Sequence, residues 1–355
     1  MFNSTQLTIA RNRRRLSRKE LAVRVGLTPV TITRLEAGDN EPGPDNIKLI
    51  AAELGFPVDF FYGDYSDPLS KDAVSFRSLK AMTAKERDAA ISAADLALTI
   101  NDWIDDRFNL PEVDLPDLSN FIEDPAGAAS FLRSDWGFGQ RPIGNLIKLL
   151  ESKGIRVFSL AEDTKNVDAF SFWRNGQPFI FLNTFKTAER SRFDIAHELG
   201  HLVLHRDGEN TGRDAEAEAN EFASHFLIPK TDLIANIPFV HSLNQLVKAK
   251  TRWGVSLQAL AYRLHKNGLI TDWRYRGFCI EISKLYGNSE PNGIERERST
   301  LWEKIIRELW REGISNERLA NEVHIPLAEL NSLVFGLFSQ DSAPKETNSA
   351  LRLVK

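Results

Sequence analysis

Two histidines and a glutamate lie close together in one helix-compatible stretch of the chain. His197, Glu198 and His201 have the spacing His-Glu-x-x-His inside a largely apolar run from Arg192 to His205. On a helix, residues four apart project from one face, so His197 and His201 can bind one metal ion. Glu198 lies beside them and can accept a proton from a metal-bound water. The pattern therefore predicts a metal-dependent hydrolytic site.

The same five residues could also belong to a buried helix whose histidines have ordinary hydrogen-bond partners. The rest of this stretch is apolar, with Phe193, Ile195, Leu199, Leu202, Val203 and Leu204. A core helix seldom carries His-Glu-His without a partner for these side chains. Metal ligation supplies that partner, and zinc is the metal that this donor set favours.

A catalytic zinc site needs a third protein ligand, and two downstream regions offer one. His205 continues the spacing from His201, but a straight helix carries it a full turn further along the axis, so it is the weaker candidate. The other region is a helix predicted between Asp214 and Pro229. Glu216 and Glu218 flank its apolar stripe on opposite sides, and helical geometry leaves both open. Acidic residues also favour a helix N-terminus without any metal.

Strands are predicted just before the histidine helix. They span Ile155 to Leu160, Asp168 to Trp173 and Phe179 to Leu182, with Arg174-Asn-Gly-Gln as a hairpin turn. Mostly helical segments follow Pro229. We therefore expect an α+β domain in which a small sheet packs against the metal-binding helices.

The N-terminal region has the rhythm of a helix-turn-helix domain. Helices are predicted over residues 7–15, 18–25 and 29–37, with Gly26-Leu-Thr as the turn. Residues 1–40 contain eight basic and three acidic side chains, whereas the whole chain has a net charge of -4. The basic end is therefore the part that can meet a phosphate backbone.

We expect the DNA-contacting residues to lie at the end of the first helix, at the start of the second and along the third. They are Arg14, Arg18, Lys19, Thr28, Pro29, Val30, Thr31 and Thr33. This set lacks strong bidentate base readers on the third helix, which predicts modest specificity. Arg34 and Glu36 are expected to hold the domain together. The alternative is a helix-turn-helix kept only for protein contacts, which the concentration of basic residues disfavours.

Taken together, these motifs resemble the ImmA/IrrE family of zinc metallopeptidases fused to an N-terminal XRE-type helix-turn-helix domain. The motifs are Phe170-Ser-Phe-Trp, Pro178-Phe-Ile-Phe-Leu-Asn183, Glu189 to His201 and Glu218-Ala-Asn-Glu-Phe-Ala-x-x-Phe-Leu-Ile-Pro229. The resemblance implies Zn²⁺ as cofactor, a zincin-like α+β fold and a third ligand at the Glu directly before Ala-Asn. That position is Glu218. Arg18 departs from the pattern of XRE-type domains, many of which carry at this position a Gln that contacts phosphate.

The expected fold class is multidomain and mainly α with a small β-sheet. The domains are a helix-turn-helix domain (1–66), a linker and helical spacer (67–139), a zinc peptidase domain (140–270), a C-terminal helical domain (271–340) and a disordered tail (341–355). The region from Gly313 to Gly336 repeats a helix-turn-helix rhythm. Its third helix carries Glu329 and no basic residue, so we expect a packing or dimerisation module.

Composition favours an intracellular regulator. A single cysteine, Cys279, excludes an intrachain disulfide and fits a reducing compartment. No run of about 18 apolar residues is present, so we expect a cytoplasmic protein with no membrane partner.

Two functions therefore compete. In the first, a DNA-binding zinc endopeptidase cleaves a regulatory protein, such as a repressor, in a stress or mobile-element response. In the second, the peptidase-like domain is a sensor or oligomerisation unit with little turnover. The intact set of His197, Glu198, His201 and Glu218 favours the first, with duplex DNA, a protein substrate and a second copy of the chain as partners. Tyr262, Arg263 and His225 remain open as oxyanion-stabilising residues.

Overall fold

The structure is a computed structural model of the 355-residue chain. It describes residues 1–63, 69, 82–160, 169–206, 212–287 and 289–339. The described chain is mainly helical with one three-stranded sheet, which confirms the expected fold class. The predicted tail (341–355) and the first part of the predicted linker and spacer, up to residue 81 and except residue 69, lie outside the described residues.

The N-terminal helices follow the sequence prediction closely. They are α1 (Ser4–Arg13), α2 (Arg18–Arg24), α3 (Pro29–Ala37) and α4 (Pro44–Leu54), followed by a 3-10 turn (Val58–Tyr62). Local capping fixes their starts, because Asn3, Ser17 and Thr28 each accept a backbone hydrogen bond from the first turn of α1, α2 and α3 respectively. Leu7, Leu21, Ile32 and Leu35 form the centre of this domain's core.

Helix α5 (Ala84–Asp105) begins at a capping box of Thr83 and Glu86. The sequence suggested a spacer between domains, but this helix is buried along most of its length. It packs against α1 and shares one apolar core with the N-terminal domain and the sheet. Its alanine-rich sides allow this close packing, so α5 is a central core helix.

The segment that follows contains the three strands and the histidine helix. Its elements are α6 (Pro125–Asp135), α7 (Leu146–Ser152), β1 (Arg156–Leu160), β2 (Ala169–Arg174), β3 (Gln177–Asn183), α8 (Ala188–Leu204), α9 (Arg213–Leu227), α10 (Lys230–Asn236), α11 (Leu243–Ala249), α12 (Leu257–Lys266) and α13 (Asp272–Tyr286). The strand order is β1-β3-β2, with β1 parallel and β2 antiparallel to β3. Asn175 and Gly176 make the predicted tight turn, both with positive φ.

The two faces of the sheet serve different cores. Val157, Ile180 and Leu182 belong to the core around α8, and Ser171 of β2 bonds to that helix. The opposite face carries stacked rings that join the core shared with the N-terminal domain, namely Phe158, Phe170, Phe172, Phe179 and Phe181. The sheet therefore connects the histidine helix to the helix-turn-helix domain.

The last three described α-helices repeat the helix-turn-helix geometry. They are α14 (Thr300–Arg311), α15 (Asn316–Glu322) and α16 (Leu327–Leu333), with residues 316 and 327 corresponding to 18 and 29. The left-handed positions also match, because Gly313, His324 and Gly336 correspond to Arg15, Gly26 and Gly38.

One interaction differs between these two modules. The first is crossed by the ion pair of Arg11 and Glu36, and the second has buried Leu309 and Val334 at the corresponding positions. Glu329, in the first turn of α16, is buried against Arg13 and Arg14 at the C-terminal end of α1. The second module is thus used for packing.

Reciprocal caps join this module to the preceding domain. Glu151 of α7 accepts hydrogen bonds from Ser299 Oγ and from the backbone N–H groups of Thr300 and Leu301, at the start of α14. Glu297 in turn accepts from the N–H groups of Leu146 and Ile147, at the start of α7. Each carboxylate satisfies donors that a helix N-terminus leaves unpaired. Glu297 also pairs with Arg192 of α8, so the histidine helix contacts this junction directly.

Candidate metal centre and DNA-facing surface

Helix α8 presents His197 and His201 on the same side, as their spacing predicts. Their Nε2 atoms are 3.1 Å apart. His201 is nearly buried, and burial together with its two histidine neighbours lowers its pKa well below the ordinary value. A low pKa keeps the imidazole neutral, and the neutral imidazole is the form that binds a metal.

Glu216 of α9 is the carboxylate nearest to this pair. Its oxygens lie 3.5 Å from His197 Nε2 and 3.7 Å from His201 Nε2. Among the described residues, these three form the cluster whose donor atoms all lie within 4.8 Å of one another. The sequence left Glu216 and Glu218 open, and the resemblance pointed to Glu218. The structure brings Glu216 to the histidine pair instead.

Glu218 and His205 form a hydrogen-bonded chain behind His201. Glu218 Oε2 lies 2.7 Å from His205 Nε2, and His205 Nδ1 lies 3.0 Å from His201 Nδ1. An ionised carboxylate only accepts hydrogen bonds, so His205 carries its proton on Nε2 and accepts at Nδ1. His201 then donates from Nδ1, which leaves the lone pair of its Nε2 free to face His197 and Glu216. Both residues considered as third ligands on sequence grounds therefore contact each other and support His201.

Glu198 is buried beside the cluster, and Ser171 fixes its side chain. Ser171 Oγ donates to Glu198 Oε2 at 2.7 Å and lies 3.3 Å from the Glu198 carbonyl oxygen. Burial raises the pKa of Glu198 to about 7, against the opposing effects of His197 and Ser171. In the sequence, Ser171 stands out only as part of the Phe170-Ser-Phe-Trp motif. The alternation of β2, which places Ser171 between two phenylalanines, could have indicated that it faces α8.

Gly200 allows α8 and α9 to approach closely. A Cβ at this position would lie 3.1 Å from Phe222 Cδ1 and 3.2 Å from Ala219 Cα. Ala219 and Phe222 are fully buried in the contact. Glycine between His197 and His201 thus sets the helix separation at which Glu216 reaches the histidines.

These donors fit a zinc ion. Two imidazole nitrogens and one carboxylate are the ligand types of a catalytic zinc site, which keeps a further position open. A histidine that binds a metal also needs a hydrogen-bond partner on its other ring nitrogen to fix its orientation. For His201, the hydrogen-bonded chain through His205 supplies that partner. Glu198 is adjacent without belonging to the cluster, as expected of a general base.

The third helix of the N-terminal domain presents a continuous exposed surface. Thr28, Pro29, Val30 and Thr33 are exposed, and Thr31 is half-buried. Val30 is 60% exposed, which is high for an aliphatic side chain in a well-packed domain. Thr28 Oγ1 accepts from the Thr31 backbone N–H at 3.1 Å, so it caps the helix. This surface belongs to the second helix of a helix-turn-helix pair, the element that such domains place in the major groove of DNA.

The basic residues predicted beside this helix differ in their surroundings. Lys19 is exposed, and Arg18 is exposed while donating to Glu36 Oε2 at 2.6 Å. Arg14 donates to the Leu54 carbonyl oxygen at 2.6 Å and pairs with Glu329. In this arrangement Arg14 is part of a domain junction, whereas its sequence position indicated a DNA contact. Lys19 and Arg18 remain beside the recognition helix.

Glu36 has the structural role expected of it, since it pairs with both Arg11 and Arg18. Arg34 was expected to share this role, but its side chain is exposed. The reason is its position on α3, where it lies outside the buried stripe of Ile32 and Leu35.

Comparisons with protein families agree with both halves of this description. Residues 7–61 match a helix-turn-helix family model, and residues 150–265 match the model of the IrrE N-terminal-like domain. The chain joins an XRE-type helix-turn-helix domain to an IrrE-like domain. A comparison with curated proteins gives no significant match. The IrrE-like match contains β1 to β3, the cluster of His197, His201 and Glu216, and the adjacent Glu198.

Three residues were considered for oxyanion stabilisation, and one of them, Arg263, is held by a hydrogen bond within the IrrE-like domain. Arg263 is buried and donates to the Ile228 carbonyl oxygen at 3.1 Å. Burial, with Arg263 nearby, lowers the pKa of His225 to about 4. Tyr262 is 43% exposed. None of them belongs to the described cluster around His197.

None of the helices in the described part of the chain is long and apolar enough to span a membrane.

Proposed function

We propose that this chain is a DNA-binding regulator whose IrrE-like domain is a zinc endopeptidase acting on a regulatory protein. The observation that carries the proposal is the convergence of His197, His201 and Glu216 beside the buried carboxylate of Glu198. His197, His201 and Glu216 would hold the zinc. When bound there, zinc polarises a peptide carbonyl and makes water a better nucleophile.

The chain's own residues supply the proton transfer. Glu198 Oε2 accepts the hydrogen bond from Ser171, and Oε1 is then the atom that accepts the proton of the attacking water. Ser171 prevents rotation of the carboxylate. The chain of Glu218, His205 and His201 holds the His201 ring in the tautomer that leaves Nε2 available. Glu218 thus acts on the site through His205.

A peptide substrate suits the adjacent sheet edge. Within the described residues, β2 pairs with β3 alone, and β2 carries Ser171. An extended peptide can add to such an edge through main-chain hydrogen bonds. This arrangement would carry the peptide past Glu198, which supports an endopeptidase over an enzyme for small molecules.

Duplex DNA is the partner proposed for the other domain. The exposed third helix would enter a groove, with Thr28, Pro29, Val30, Thr31 and Thr33 towards the bases. Lys19 and Arg18 would meet phosphates beside it. This partner supports action in the cytoplasm.

A second candidate function is a sensor in which metal binding alone alters DNA binding. One observation favours it, namely the single apolar core that contains the phenylalanine face of the sheet, α5 and the helix-turn-helix domain. Through this core, a shift of α8 could alter the position of the DNA-binding domain without peptide cleavage.

Substrate capture by the full chain distinguishes the two functions. Proteins retained by a tagged Glu198→Gln variant are identified and then incubated with purified wild type or with Glu198→Gln. A retained protein that wild type shortens and Glu198→Gln leaves intact supports the peptidase. If wild type shortens none of them while DNA binding still responds to zinc, the sensor function is supported and the peptidase function is rejected.

A further inference from the structure

Helix α13 is only partly covered by the rest of the molecule. Its buried side chains are Phe278 and Ile282. On the opposite side, Trp273 is 79% exposed and Ile280 is 69% exposed. Large apolar side chains that are grouped and exposed to this degree mark an interaction surface.

Trp273 and Ile280 lie on one face of α13, with a depression between them. Trp273, Gly277, Ile280 and Lys284 follow one another at steps of four, three and four, which places them along one side of a helix. No atom lies within 4 Å of the position that a Cβ on Gly277 would occupy. Gly277 therefore forms a depression between two projecting apolar side chains.

We propose that this α13 face binds the same face of a second copy of the chain, with the two helices antiparallel. Ile280 of each copy then enters the depression at Gly277 of the other, because both residues lie near the middle of the helix. In a two-fold interface each contact occurs twice, so a surface that is complementary to itself contributes each favourable contact two times to binding. One face supplies both the projection and the depression.

The charges around the face fit the same arrangement. Arg274 and Glu281 lie on one flank, on opposite sides of Gly277 along the helix. A two-fold axis between antiparallel helices brings equal flanks together, and the register of Ile280 and Gly277 places Arg274 about 3 Å along the axis from Glu281 of the second copy, within reach of both side chains. Within its own chain, the Arg274 guanidinium also donates to the His241 carbonyl oxygen and lies over the Phe278 ring. The same register places Lys284 over Trp273 of the second copy, a cation–π contact. Alignment of the apolar centre thus also pairs opposite charges.

A pair of 15-residue helices forms a small interface. We therefore expect a dimer that dissociates on dilution. If the proposed DNA binding is correct, the dimer would carry two helix-turn-helix domains to two half-sites. The dimer itself does not depend on that function.

The test measures the self-association of the full chain by sedimentation over a range of concentrations. Wild type should convert from monomer to dimer as concentration rises. Ile280→Asp should raise the dissociation constant by about ten-fold or more. Leu49→Asp, which changes an exposed leucine on α4, should leave it unchanged. A chain that stays monomeric, or a dimer equally stable in Ile280→Asp, overturns the proposal.

A charge exchange tests the antiparallel register. Arg274→Glu and Glu281→Arg should each weaken the dimer, because each opposes like charges across the axis. The double variant should return the dissociation constant to within a few-fold of wild type. A double variant as weak as the sum of the single changes overturns the proposed register.

Gly277→Leu separates association from folding. The open space around Gly277 accepts a side chain in the monomer, and leucine favours a helix more than glycine does. The variant should therefore fold with an equal or higher melting temperature while dimerising more weakly. If Gly277→Leu dimerises as wild type does, Ile280 does not enter this depression.

Discussion

Glu218 and His205 are joined by a 2.7 Å hydrogen bond between a carboxylate oxygen and Nε2. This contact occupies the residue that the family resemblance indicates as the third zinc ligand. Glu216, two positions earlier on the same helix, lies against His197 and His201. The two glutamates should therefore affect metal binding to different degrees.

We expect Glu216→Gln to weaken zinc binding more than Glu218→Gln does. Loss of Glu216 removes a charged ligand, whereas loss of Glu218 removes an outer partner, which typically costs about 10- to 100-fold in metal affinity. Competition with a chelator measures both. Glu221→Gln, an exposed change on the same helix, is the matched control and should behave as wild type. Stronger loss in Glu218→Gln than in Glu216→Gln would restore Glu218 as the ligand.

Ser171→Ala should lower peptidase turnover by about 10-fold or more while zinc content stays at the wild-type level. Its hydroxyl holds Glu198 Oε2 and does not belong to the metal cluster. Rates with a substrate identified by capture, together with zinc analysis, check this. Ser134→Ala, an exposed serine on α6, serves as control. Equal rates in Ser171→Ala and wild type would show that Glu198 needs no such support.

Lys19→Gln should reduce affinity for duplex DNA and lower the slope of log affinity against log salt by about one. The reason is the loss of one phosphate contact beside the recognition helix. Binding is measured by fluorescence anisotropy at several salt concentrations. Lys48→Gln changes an exposed lysine on α4 and should keep the wild-type slope. An unchanged slope in Lys19→Gln would remove Lys19 from the DNA interface.

Glu329→Gln should lower stability by about 3 kcal/mol at neutral pH, because it removes the negative charge that the nearly buried Arg13 faces. Burial acts to raise the pKa of Glu329, but Arg13 and Arg14 outweigh it and hold the pKa below its usual value. The stability supplied by this carboxylate is therefore fully present above the ordinary pKa of glutamate. It is lost as pH falls through the lowered pKa.

Urea unfolding of wild type and Glu329→Gln across this pH range checks the prediction. The two proteins should converge in acid and differ at neutral pH. Glu312→Gln, an exposed change in the same module, should follow wild type throughout. A constant difference between Glu329→Gln and wild type at every pH would show that ionisation of Glu329 is not the cause.

The sequence by itself determined the local elements. The helix starts at Ser17, Thr28 and Thr83 were predictable because a capping side chain and its backbone partner are only two or three residues apart. The turn at Asn175 and Gly176 was predictable because few residues adopt positive φ. The shared face of His197 and His201 follows from helix geometry alone. The match of the helix-turn-helix and IrrE-like motifs rests on the same local order.

Only the tertiary structure decided which glutamate faces the histidines. Glu216 and Glu218 lie on different sides of α9, and the choice depends on how α9 lies against α8. Gly200, Ala219 and Phe222 set that contact, and they come from two separate helices. Arg14 is a similar case, since it pairs with Glu329, 315 residues away in the chain. Local spacing determines what a helix can present, whereas packing between distant helices determines what each side chain meets.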